Sequence, residues 1–149
     1  MLGDTNTGSL DYLVTNPGGP FFPDINLKDW MEIDRLSDDT PKTLERVMLL
    51  SMADCNGLLA AWQADQVAAG GSALPAANLV DYLEAVGNRA MGKLMRKTPA
   101  FKLDSRIREH LEEMNMTTQD YFDESDQRLS RVTGESIGRG GILAVAGGG

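Results

Sequence analysis

The stretch TPKTLERVMLLSMADCNGLLAAWQADQVAAGG, residues 40–71, decides the fold class. Thr40 offers a side-chain oxygen to the free amides of a first helical turn, and Pro41 is pre-shaped for the first helical position, so a helix begins here. From that start Leu44, Val47, Met48, Met52, Cys55, Leu58, Leu59, Trp62 and Gln66 recur mostly at steps of three or four, which puts them on one face of one helix. Gly70-Gly71 ends the run. At 1.5 Å per residue such a helix spans roughly 43 Å. That is long for a chain of 149 residues, so the sequence predicts a central spine on which the other elements pack.

Downstream, a second helix starts near Asn78 and carries Leu79, Tyr82, Leu83, Val86, Ala90, Leu94 and Met95 on its apolar face, ending before Pro99. Gly87 and Gly92 weaken it or mark close packing. Asp104 caps a third, short helix with Ile107, Leu111 and Met114, and Thr117 or Thr118 caps a fourth with Phe122, Leu129 and Val132. Upstream, Asn16-Pro17-Gly18-Gly19-Pro20 supplies turns and forbids a continuous helix, so residues 1–20 read as an N-terminal arm. Phe21 to Trp30 then alternates large apolar and polar side chains around Pro23, a segment suited to strap across a core, with Asp24 or Asn26 capping a short helix through Leu27, Trp30, Met31 and Ile33. Strand signals are nearly absent outside the C-terminal tail. The expectation is an all-α body over residues 21–133. It is a small bundle of three to four helices with one long central helix, extended by the N-terminal arm and a glycine-rich C-terminal arm over residues 134–149.

Composition narrows the function. With 22 acidic and 14 basic residues the formal charge is −8, which speaks against a surface devoted to sequence-specific nucleic-acid binding. No apolar run reaches the roughly 18 residues of a membrane span, and the first residues resemble no signal peptide. Cys55 is the single cysteine, so no internal disulfide forms, in keeping with a reducing cytoplasm. His110 is the single histidine, which removes every multi-histidine metal site and leaves the commonest general base without a histidine partner. It reads as a surface helix residue, and Cys55, on the apolar face, reads as an inert thiol. Gly134 to Gly141 lacks the lysine and the flanking strand and helix of a phosphate loop. The acidic residues between Glu109 and Asp126 lack calcium-loop spacing and read as a solvated face. The sequence therefore calls for no catalytic residue, no metal and no cofactor.

The candidate functional residues are partner contacts. Phe21, Phe22 and Trp30 are possible interface anchors, packing against their own helices being the plain alternative. Arg89, Lys93, Arg96 and Lys97 recur at helical spacing and form a basic stripe. Such a stripe either pairs with nearby acids or meets an acidic patch on a neighbouring subunit. In the tail, Arg139 precedes the short apolar run containing Ile142, Leu143 and Val145, too glycine-rich for a free helix but able to add as a strand to another chain.

A resemblance organises these features. Phe21-Phe22-Pro23-Asp24-Ile25-Asn26-Leu27 resembles the aromatic-Pro-Asp-Ile-Asp-Leu opening of the GPL-type head completion and stabilisation proteins of tailed phages. In order, Arg35-Leu36, the helix from Leu44 to Cys55-Asn56, Leu59-Ala60-Ala61-Trp62-Gln63, Gln66-Val67-Ala68-Ala69-Gly70 and Leu83-Glu84-Ala85-Val86 continue the likeness, over about residues 21–97. Asp120 to Val132 departs from it, being more acidic and poorer in arginine. The resemblance implies a virion component made in the host cytoplasm, a non-enzymatic ring, of twelve copies by the symmetry of portals. Its implied partners are the portal protein, further copies of itself, and the next connector or tail-terminator protein. A small helical DNA-binding subunit of the terminase type is the alternative, and it predicts a steep salt dependence of DNA affinity.

Overall fold

The computed structural model describes residues 12–33, 41–97, 109, 113 and 116–137. Among them the chain is mostly helical, as the periodicity predicts. Strand β1 (Leu13–Val14) pairs antiparallel with β2 (Ile25–Asn26), and helices α1 (Leu27–Ile33), α2 (Pro41–Leu58) and α3 (Ala60–Ala68) follow. A 3-10 turn at Ala76–Asn78 then leads into α4 (Leu79–Lys97), and α5 (Thr118–Thr133) completes the described elements. The two-stranded sheet is a departure from the all-α expectation. Each strand has two residues, too few for alternation to show in a sequence. The third predicted helix, with Asp104, Ile107, Leu111 and Met114, lies outside the described residues, as does His110.

The spine behaves as its sequence dictates up to one point. Leu44, Val47, Met48, Ser51, Met52, Cys55 and Leu59 are all buried, the three-and-four spacing of a single face. At Leu59 the backbone leaves the helical region (φ −95°, ψ 1°), so two helices replace the one that was expected. Hydrogen bonds survive on both sides of it: the Leu59 amide donates to the Cys55 carbonyl at 3.0 Å, and the Leu59 carbonyl accepts from Gln63 at 2.7 Å. Leu58, expected on the inner face, is 42% exposed.

Helix α4 is the hub. Tyr82, Ala85, Val86, Ala90, Met91 and Leu94 are buried, while Leu79 and Leu83, predicted on the same face, stand at its edge and are exposed. Helix α5 packs antiparallel on α4, since Phe122, Ser125 and Arg128 meet Gly92, Ala85 and Asp81 in reverse order. Gly92 permits that approach: a Cβ there would lie 3.0 Å from the Phe122 ring. The Thr117 hydroxyl accepts from the Asp120 amide at 3.1 Å, and the Asp120 carboxylate accepts from the Thr117 amide at 2.7 Å, a reciprocal cap for α5. Those bonds hold the Asp120 carboxyl below its usual range. Gly134, in the left-handed conformation, closes the helix.

Phe21, Phe22, Ile25, Leu27 and Trp30 cross the open side of α2 and α4 and are buried there, as a strap should be. Phe22 stacks on Tyr82 with ring centroids 5.1 Å apart, and Phe21 meets Trp62 edge-on. Each such side chain contributes about 1.5–3 kcal/mol by leaving water.

Candidate functional site

Three polar side chains from distant parts of the chain close a ring on the α2–α4 surface. The Asn16 amide donates to the Tyr82 hydroxyl at 2.8 Å, that hydroxyl donates to the Asn56 carbonyl oxygen at 2.7 Å, and the Asn56 amide donates back to the Asn16 carbonyl oxygen at 2.7 Å. Asn16 also donates to the Pro23 carbonyl at 2.8 Å, and its backbone amide donates to Asp24 at 2.7 Å. Burial pushes the Tyr82 hydroxyl pKa far above its ordinary value, so it stays protonated and remains a donor. Gly18 is required beside this ring, because a Cβ there would sit 2.7 Å from the Asn56 amide nitrogen. The arrangement clamps residues 12–26 to both helices. Val14 and Asn16, in the segment read as an arm, are buried by it.

The second polar system runs along the α4–α5 seam. The Ser125 hydroxyl donates to the Ala85 carbonyl at 2.7 Å and accepts from Arg89 Nε at 3.1 Å, while Arg89 Nη2 pairs with Asp126. Both partners of that pair are largely buried, with side-chain exposures of 11% and 16%. Arg128 bridges Asp81 at 3.2 Å and Glu124 at 3.1 Å. Cys55 faces this seam from α2. Burial raises its thiol to about 11, against the opposing pull of Arg89, so it is inert at neutral pH.

Three residues of the predicted basic stripe have separate partners within the fold. Arg89 faces Asp126, Lys93 reaches Asp54 on α2 at 2.7 Å, and Arg96 lies 4.6 Å over the Phe122 ring. Lys97 ends α4, and its side chain lies outside the described residues. Phe21, Phe22 and Trp30 come together in the core strap. Arg139, Ile142, Leu143 and Val145 lie outside the described residues.

The surface offers something the sequence reading missed. Between β2, α1 and α4 lies a cleft of about 220 Å³. Ile25, Trp30, Met48, Leu83 and Gly87 give it apolar walls, and Asp24, Asp29 and Glu84 give it acidic ones. Leu79, Val80 and Leu83 extend it as an exposed apolar strip, at 39%, 64% and 37% exposure. One helical turn separates Leu79 and Val80 from Leu83, so the three share a face. The apolar spacing at Leu79 and Leu83 marks this strip in the sequence, where it looks the same as a core face. Among the described residues no cluster of His, Cys, Asp and Glu side chains is placed to hold a metal ion, and no helix is long and apolar enough to cross a membrane.

The strap, the clamp and the helical hub thus carry an apolar and acidic cleft on their surface. No curated protein and no solved structure gives a significant match, but the family model of the phage head completion protein (GPL) matches residues 14–139, from the buried Val14 of β1 to beyond the end of α5. The chain accordingly belongs to the phage head completion protein family, and its role is a structural one in the phage head.

Proposed function

We propose that the chain is an adaptor of the head-to-tail connector. It assembles as a ring on the portal after DNA is packaged, keeps the filled head closed and presents the surface on which the next connector or tail-terminator protein docks. The family match over residues 14–139 carries this reading. Ring closure needs two different faces on each copy, one to give and one to receive. The apolar strip with its acidic cleft supplies a receiving face, and the candidates for the giving one are the stretches that hold Lys97, Arg139, Ile142, Leu143 and Val145. Each contact is weak alone and is multiplied by the ring's valency, twelve copies if the ring follows the portal's symmetry. The work is done by buried area and no bond is made or broken. Heads packaged without this chain should lose their DNA and fail to join tails, and adding the purified chain should restore both. Heads that stay filled and join tails without it would refute the adaptor role.

A further inference from the structure

The cleft beside Trp30 is smaller than the roughly 300–1,000 Å³ of small-molecule sites, at about 220 Å³, and opens onto an exposed apolar strip, which suits a few side chains of an extended segment better than a metabolite. Its acidic side is only partly spent, Glu84 lying in the field of Arg128 without a direct ion pair. Asp24 already accepts from the Asn16 amide, but among the described residues neither Asp29 nor Glu84 lies within ion-pair distance of a basic side chain. An occupant with one cation next to aliphatic groups, on a backbone free to come close, complements this lining. Gly138-Arg139-Gly140-Gly141-Ile142-Leu143-Ala144-Val145 has that composition: Arg139 is the single charged side chain between Ile137 and Gly149, glycines surround it, and an aliphatic run follows. The chain enters this segment from the body, since the Ile137 amide donates to the Ser130 hydroxyl of α5 at 3.0 Å and its side chain packs against the core.

We propose that the cleft between β2, α1 and α4 receives the segment Arg139–Val145 of an adjacent copy of this chain, with Arg139 against Asp29 and Glu84 and the Ile142, Leu143 and Val145 side chains on the strip of Leu79, Val80 and Leu83. The proposal deepens the adaptor reading, on which it rests for the tail being a docking arm, by naming the surface that takes it.

The test uses the full chain with photoreactive p-benzoylphenylalanine at position 83, irradiated as concentrated free protein and again within phage heads. Mass spectrometry should find the cross-link on the peptide that contains Arg139 to Val145. Charge reversal by Glu84→Lys should lower its yield about two- to fivefold, the range of an exposed ion pair, and Arg139→Glu in the same chain should restore it. Mixing with isotopically heavy copies should place the segment on an adjacent copy, as a docking arm requires, and a link confined to the same chain would overturn the proposal. Cross-links that omit the tail in both preparations, or a yield indifferent to both charges, would overturn it. A cross-link to the portal protein instead would overturn the occupant while leaving the adaptor reading standing. A tail cross-link from a chain that ignores the portal would do the reverse.

Discussion

The N-terminal strap and helix α5 are both fastened to α4, and they are fastened by opposite means. The strap is held by a closed ring of neutral groups, Asn16, Asn56 and Tyr82, in which each side chain donates once to the next. Helix α5 is held by charge, with Arg89 against Asp126 at the buried part of the seam and Arg128 against Asp81 nearer its edge. A neutral ring exchanges water for fixed partners and is indifferent to salt. An ion pair is sensitive to how much water reaches it: the exposed one is screened, and the buried one is costly to break by half. The same helix thus carries one attachment that specifies geometry and one that responds to its surroundings.

The largest effect is expected at Asp126. Asp126→Ala leaves Arg89 charged and enclosed, and should cost about 3 kcal/mol in urea unfolding. Replacing both partners, with Arg89→Met beside it, should recover most of that loss. A single-variant cost below about 1 kcal/mol would mean that water, rather than Asp126, satisfies Arg89. Next is Tyr82→Phe, which removes one hydroxyl but strands both an Asn16 donor and an Asn56 acceptor, at about 2 kcal/mol. That cost should be the same at low and high salt, whereas the smaller cost of Arg128→Ala should shrink as salt rises. Limited proteolysis of the Tyr82 variant should cut within residues 12–26 first, and equal protection there would show that aromatic packing alone holds the strap.

Gly18→Ala sharpens the same point. Its Cβ would press on an Asn56 amide that the ring holds in place, for a loss of about 1–2 kcal/mol; paired with Asn56→Ala, which frees the space, the further loss from the alanine should vanish. A further effect appears only in alkali. The Cys55 thiol ionises near 9.0 when unfolded and at about 11 when folded, so the folded state holds its proton longer. The associated stability is complete below 9.0 and is lost as pH rises through about 11. Cys55→Ala should flatten this part of the stability–pH curve, leaving the later fall contributed by Tyr82, whose hydroxyl is raised in the same sense. An unchanged curve would show that the thiol is not sealed.

Much of the body was legible because its signals are local. Helix α2 starts at Pro41, Thr117 caps α5, and the buried residues of both follow a period of three and four. Leu59 escaped because a single residue with ψ near zero changes neither the spacing nor the hydrogen bonds beside it. Leu79 and Leu83 were assigned to the core because a stripe wider than the buried face looks the same in sequence as one that fits it. Asn16 was read as part of a turn because its partners lie 40 and 66 residues away, and nothing local to an Asn-Pro step announces them. The candidate site was least legible of all. The cleft is made by three elements meeting, and its acidic residues are ordinary when read one at a time.

Native mass spectrometry of the purified chain mixed with the portal protein of the same virion shows whether this helical body mounts on a portal, as proposed. An adaptor gives a discrete complex with a fixed number of copies per portal ring, matching the portal's symmetry. A chain that leaves the portal unliganded at every ratio, and instead binds DNA with a steep salt dependence, would contradict the adaptor reading.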